Sequence, residues 1–277
     1  MSTTIDQAFI KQFEREVHEA YQRQGSKLRN TVRTISEVNG SSAVFQKVGT
    51  GTASTKATNA MVPVMNLDHS NIEVILSDYY AGDWIDRLDE LKTNIDERQI
   101  IASAGAQALG RKTDELIIAA MSGATSNIIA DGNIGMTKDK ILSAFETFGA
   151  NDVPDDAQRY CVVGWKQWSE LLGIDEFVNA DYIGAENLPF ANITQAKMFL
   201  GTIFIPHSGL PTDVNDIRSC YYYHKTAIGH AAASDVQSDV SWHGDRAAHF
   251  VNNMMSQGAG LIDEAGIVVI NCDETPD

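Results

Sequence analysis

The 277-residue chain contains no apolar run of about eighteen residues, so no segment reads as a membrane-spanning helix. Its opening residues, Met1 to Asp6, show no basic stretch followed by an apolar one, and the expectation is a chain without a secretory signal. Cysteine is scarce. Cys161, Cys220 and Cys272 are odd in number, widely spaced and each set in an apolar, strand-like run, which predicts reduced core thiols and no disulfide framework. Basic charge is also short, with 21 Lys and Arg against 37 Asp and Glu and a net charge of -16. Such a surface repels phosphate backbones and argues against a protein that grips nucleic acid, though not against one that encloses it.

The common enzyme signatures are missing too. No Gly-x-Ser-x-Gly elbow, His-Glu-x-x-His pair or Cys-x-x-Cys pair occurs. Gly49-Thr50-Gly51-Thr52-Ala53-Ser54 lacks the last glycine of a dinucleotide fingerprint, and no helix pattern follows it. No catalytic residue, cofactor or metal is expected. One cluster is weighed against that expectation: His224, His230, His243 and His249, with Asp235, Asp239 and Asp245 between them, offer ligands for a metal-dependent hydrolase. Intervening Gly and Ser break the pattern, and scattered histidines are the commoner outcome.

What the chain does have is a stretch of 36 residues, Asp86 to Met121, that reads as one helix. Trp84, Leu88, Leu91, Ile95, Ala102, Leu109, Leu116 and Ala120 recur at helical spacing near one stripe. A rod of that length would span roughly 54 Å, which suits a stiff plate better than a compact enzyme. Upstream, Val44 to Val48 and Ile72 to Leu76 read as short strands around a loop rich in small residues. Its first part, Gly49, Thr50, Gly51, Thr52, Ala53, Ser54, Thr55 and Lys56, cannot bury enough apolar area to order itself and needs a partner to hold it.

Downstream, Thr137 is placed to cap a helix with Ile141, Leu142, Phe145 and Phe148 on its apolar face. Tyr160 to Val163 reads as a strand. A helix bearing Trp165, Trp168, Leu171 and Leu172 follows, closed by Gly173 in a left-handed C-cap. Thr202 to Ile205, Cys220 to Tyr223, Val236 to Trp242, Ala247 to Asn252 and Ile267 to Ile270 complete the strands. Tyr221, Tyr222 and Tyr223 are expected in a core or interface, not in a base-stacking platform. A central helix among sequence-distant strands is an α+β pattern. Residues 1–40 differ in charge, with six Lys and Arg against five Asp and Glu. Lys11, Arg15, Arg23, Lys27, Arg29 and Arg33 therefore suit an arm lying on another subunit or facing an anionic interior, or else a solvated terminal helix.

This order of elements resembles the major capsid protein of tailed bacteriophages, whose shared fold is named after phage HK97. Phe45-Gln46-Lys47-Val48-Gly49 through Ala57-Thr58 resembles that family's extended loop, and Ile85-Asp86 to Thr113-Asp114 its spine helix. Thr137 to Leu172, with Asn151-Asp152-Val153-Pro154 inside it, resembles the start of the axial subdomain. Tyr222 to Gly229, and Gly258-Ala259-Gly260 to Ile270, resemble the strands that return to the peripheral subdomain.

The resemblance implies an N-terminal arm at 1–42, an extended loop at 43–80, a peripheral subdomain with spine helix at 81–134 and 231–277, and an axial subdomain at 135–230. It also implies subunits that form pentamers and hexamers and close into an icosahedral shell around double-stranded DNA. The implied partners are other copies of the chain, a separate scaffolding protein, a portal protein and, as an open option, a decoration protein. No membrane is involved, and the place is the virion capsid, assembled in the bacterial host cytoplasm. Some members cross-link a loop lysine to a neighbour's asparagine, for which Lys56 with Asn252 or Asn253 are the candidates, beside the plainer reading of an unmodified Lys56. A cellular nanocompartment shell of the encapsulin type is the alternative with the same fold.

Overall fold

The computed structural model describes residues 25–90, 97–178 and 197–275. In chain order the elements are β1 (Arg33–Ile35), β2 (Ser42–Val48), β3 (His69–Ile75), β4 (Ser77–Asp86), α1 (Arg87–Glu90), α2 (Glu97–Ser122), β5 (Ile128–Ile129) and α3 (Lys138–Ala150). There follow β6 (Arg159–Val163), α4 (Trp165–Leu171), α5 (Asp175–Val178), β7 (Lys197–Phe199), β8 (Thr202–Pro206), β9 (Ile217–His224), β10 (Ile228–Ala232), β11 (Gln237–His243), β12 (Ala248–Leu261) and β13 (Ile267–Asp273). The chain divides into two compact units, one of Met1–Gly25, Tyr79–Arg111 and Val236–Met255, the other of Ser26–Asp78, Lys112–Asp235 and Ser256–Asp277.

The second unit is built on a six-stranded sheet in the order β5-β13-β9-β6-β8-β7. Its central strands each carry a continuous buried run: Cys161 to Val163, Cys220 to Tyr223 and Ile267 to Ile270. Continuous apolar runs are what strands covered on both faces require. The cover comes from α3, α4 and the C-terminal part of α2, through Ala144, Phe148, Trp168, Leu171, Ile117 and Met121. The three cysteines are free and buried in this core, as the sequence predicts. So are the three tyrosines, with Tyr222 edge-on to Phe148.

β2 pairs antiparallel with β3 from Ser42↔Ile75 to Val48↔His69. Ala43 and Phe45 point inward while Val44 and Gln46 stay exposed, the alternation of a strand with one wet face. Phe45 packs where β10 carries Gly229; a Cβ there would stand 2.6 Å from the Phe45 ring. β10 in turn pairs parallel with β1 and antiparallel with the Gln257 to Leu261 part of β12. In the first unit, β11 runs antiparallel to β12 from Gln237↔Met254 to His243↔Ala248.

Several sequence expectations need correction. Trp84, Ile85 and Asp86 belong to β4, not to the helix, and the following helical residues are Arg87–Glu90 and Glu97–Ser122, with 91–96 outside the described residues. Trp84 was assigned to a helical stripe by spacing, yet it lies against Phe250 at 4.5 Å between ring centroids, a cross-strand contact that local spacing does not encode. The buried face of α2 holds Leu109, Thr113, Asp114, Ile117, Ile118 and Met121. Two polar side chains thus share the inward face of the helix, where Leu109 is buried and Ala120 is partly buried against the core, while Leu116 is only half-buried. Thr137 does cap α3, accepting from the N–H of Lys140. On that helix Ile141, Ala144 and Phe148 are buried, but Leu142 and Phe145 are exposed. Gly173 has no positive φ; α4 ends on right-handed Leu172, whose N–H bonds back to Trp168. Between α2 and α3 the chain also forms β5, which pairs parallel with β13.

Candidate functional site

The β2–β3 hairpin carries the most distinctive surface of the second unit. Strand pairing runs out at Val48↔His69, and one more hydrogen bond, from the N–H of Gly49 to the carbonyl of Asp68 at 2.7 Å, closes the ladder. Beyond it residues 50–66 are exposed, with one turn closed from Ala60 N–H to the Ala57 carbonyl at 3.1 Å. Gly49 to Lys56 lie in this projecting segment. Gly51 has a steric reason as well, because a Cβ there would overlap the thioether of Met65 on the opposite limb.

Within the same loop, Met61, Val62, Val64 and Met65 stand in solvent, Met61 at 93% and Val64 at 85% exposure. Sequence reasoning concentrated on the small residues and missed this run. Its signal was present: an apolar stretch broken by Pro63 cannot be a central strand and so has no core to enter. A contiguous apolar group of this kind in solvent marks a surface meant to be covered.

The base of the hairpin is firmly held. Phe45 is fully buried with Ala43, Val74, Ala231 and Ile262, and Arg33 lies over its ring at 5.6 Å. Gly258 and Gly260 leave room for Val74, and Lys47 pairs with Asp263 at 2.8 Å. A rigid base and an unburied tip make a lever that presents its apolar end away from its own fold.

The segment just after the N-terminal region is anchored on a buried charge. Asp114 of α2 accepts from Ser26 Oγ at 2.6 Å and from the N–H groups of Leu28 at 3.1 Å and Lys27 at 3.2 Å. His207 Nδ1 accepts the N–H of Gly209 at 3.0 Å, so its proton sits on Nε2 and is donated to Asp114 at 3.0 Å. Burial pushes the Asp114 carboxyl up. The bonds from His207, Ser26, Leu28 and Lys27 together outweigh that and hold it below the usual carboxylate range. Of the basic residues expected in the arm, Lys27 reaches the Pro206 carbonyl at 3.4 Å and Arg29 pairs with Asp235 at 2.5 Å. Arg33 stacks on Phe45, while Lys11, Arg15 and Arg23 lie outside the described residues.

The histidines weighed as a metal cluster go to separate partners. His224 Nε2 meets Asp156 at 3.0 Å, and that bond is the main reason the Asp156 carboxyl lies low. His230 is buried against Gln257 Oε1 at 3.1 Å, which also accepts from Thr113 at 2.7 Å; burial lowers its pKa. His243 lies edge-on to Trp84, and His249 is tilted against Trp242. Asp235 is taken by Arg29, Asp239 sits opposite Asn252 in the β11–β12 ladder, and Asp245 stands 4.0 Å from His243. Among the described residues no group of three His, Cys, Asp or Glu is arranged to hold a metal ion. Asn253, one of the cross-link candidates, is buried and committed: its amide donates to the Ala81 carbonyl at 3.2 Å and accepts from Ser238 at 2.5 Å.

A mixed α+β body with a projecting hairpin whose apolar tip lies in solvent, and a long helix bearing buried polar anchors, is the architecture of a protein suited to contact other chains. A family model described as phage capsid protein matches residues 5–274, and the chain belongs to that family. It is accordingly a major capsid protein, the structural subunit of an icosahedral bacteriophage head. No curated protein sequence matches it. Among solved structures it is similar to the capsid structure of the cyanophage P-SCSP1u, with a TM-score of 0.74 at 16% identity over 99% of this chain and 96% of that one. The capsid of Ralstonia phage GP4 gives 0.72 at 13% identity over 100% of both chains. The mature capsid of bacteriophage PhiM1 gives 0.68 at 16% identity over 96% and 93%. These likenesses establish the HK97-like fold.

Proposed function

We propose that the chain assembles into pentamers and hexamers through its hairpin tip, with Gly49 to Lys56 and the adjoining apolar residues laid on a neighbouring copy. The observation that carries this reading is the exposed run Met61 to Met65 at the end of a hairpin whose base is fixed by Phe45. Burying such a run on a neighbour gives a heterologous contact, which rings can repeat and a closed shell can multiply. Each contact then needs little strength, because many act together.

Within the shell, the four segments 1–42, 43–80, 81–134 with 231–277, and 135–230 take the roles of arm, extended loop, peripheral and axial subdomain. Lys27, Arg29 and Arg33 fix the root of the arm, and contact with a neighbouring copy is the role given to Arg15 and Arg23. The shell encloses double-stranded DNA without reading its sequence, forms in the host cytoplasm on a separate scaffolding protein, and receives a portal protein, with a decoration protein left as an open option. The role is not enzymatic. The separate partners of His224, His230, His243 and His249 support that, since a hydrolytic centre needs its ligands together.

The test is to express the chain with its scaffold and view the particles by electron microscopy, beside a variant lacking Gly51 to Thr58. The reading expects closed shells from the intact chain and folded, unassembled subunits from the variant. Shells of normal size from the variant would sink the role given to the hairpin. Small, nucleic-acid-free shells holding a cargo enzyme would favour the encapsulin-type alternative.

A further inference from the structure

Away from the hairpin tip, the second unit has an open cleft of about 520 Å³ between the start of β1, the turn before β6 and the turn after β9. Arg29, Arg33 and Lys225 supply three cations to its walls, and Thr34, Gln158 and Thr226 supply hydroxyl and amide groups. No carboxylate lines it. That is unusual for a chain of net charge -16.

Elsewhere in the same unit several cations are matched by carboxylates at close range: Lys47 by Asp263, Lys112 by Glu115, Lys138 by Glu176 and Arg218 by Glu274. In the cleft Arg29 shares Asp235 and Arg33 rests on Phe45, while Lys225 has no carboxylate within reach among the described residues. The cleft therefore holds more positive charge than its own fold neutralises. Guanidinium, ammonium, hydroxyl and side-chain amide are together the set of groups that contact phosphate oxygens in nucleic-acid complexes. No aromatic residue lines the cleft, so there is no platform on which a base could stack. Such a lining fits the charged backbone and ignores the sequence.

We infer that this cleft binds the phosphodiester backbone of nucleic acid, sequence-independently. The inference deepens the reading of a shell around DNA, and rests on it, by naming where the enclosed polymer touches the subunit. The chain's net charge of -16 disfavours further contact with DNA, so binding is confined to this cleft and the packed polymer is not glued to the wall.

The experiment measures fluorescence anisotropy of a labelled short duplex DNA titrated with the unassembled full chain across a range of salt. With Arg29 already paired to Asp235, the two phosphates neutralised by Arg33 and Lys225 give a log–log slope of about -1.8. Lys225→Gln should weaken binding and reduce that slope by about 1, with unchanged thermal unfolding. Lys166→Gln, outside the cleft, should leave the slope alone. Inorganic phosphate should compete only weakly, and an oligoglutamate peptide should not match the duplex. The inference is overturned by oligoglutamate binding as tightly as DNA, by equal losses in both variants, or by no duplex binding at all. Electron micrographs of the same preparations keep the two ideas apart. Normal shells without duplex binding remove the cleft inference and leave the shell, whereas duplex binding without shells keeps the phosphate site and removes its setting.

Discussion

Asp114 and His207, 93 residues apart, meet at 3.0 Å with both side chains shut off from solvent. The Asp114 carboxylate, held by His207, accepts the backbone N–H groups of Lys27 and Leu28 and so fixes the point where the N-terminal region joins the body. Asp114→Ala leaves His207, Ser26 and two N–H groups without an acceptor, and should cost about 3 to 5 kcal/mol in denaturant unfolding.

The same carboxylate sets an acid limit on stability. Its pKa in the folded chain lies below the ordinary value of 3.8, so its contribution is fully present above that value and is lost as the pH falls through the lowered one. Wild type should show this extra loss of stability below about pH 4, and Asp114→Asn should lack it. Unfolding curves of the two proteins across that range decide the matter.

Lys140 is buried, and its ammonium shares its three protons among four backbone carbonyls within hydrogen-bond distance: Asp131 at 2.8 Å and Ile134, Gly135 and Asn271 at 2.9 Å. Lys140→Met keeps an unbranched side chain one atom shorter and strands those acceptors. The expected loss is at least about 3 kcal/mol. Hydrogen exchange should then rise first at Ile134 to Met136.

Gly229 leaves room for the Phe45 ring and so seats the hairpin. Gly229→Ala should destabilise by about 1 to 3 kcal/mol through overpacking, and Phe45→Leu in the same chain should recover part of it. A double-mutant cycle with no coupling would show that the two residues do not share a site.

Met61 and Val64 contribute nothing to the fold of the isolated subunit, being 93% and 85% exposed. Met61→Ser with Val64→Ser should leave the unfolding midpoint unchanged while sharply reducing the yield of closed shells. A lowered midpoint with normal shells would reverse the account given of the tip.

Much of the fold was legible in advance. β2, β3, β6, β8, β9, β11 and β13 each fall within a few residues of their expected places, because apolar runs and alternations of that length are local signals. β10 was not foreseen. Ile228-Gly-His-Ala-Ala has little strand propensity, and it is a strand because β1 and β12 pair with it on either side. Gly173 illustrates the reverse error: a glycine in the right place for a left-handed cap is not obliged to adopt one. On the candidate surface, the small residues of Gly49 to Lys56 were recognised and Met61 to Met65 were not, since attention to flexibility obscured an apolar run that no element could use.

The sequence by itself determined the α+β class, the reduced thiols in the core and the acidic character. All of these follow from composition and from patterns a few residues long. Only the tertiary structure decided that Thr113 and Asp114 face inward, that Lys140 fills a ring of carbonyls, and that Arg29, Arg33 and Lys225 share one cleft. The reason is physical. A polar group enters a core only when its partners are already there, and those partners come from chain segments as far apart as Leu28 and Asp114, which no local pattern joins.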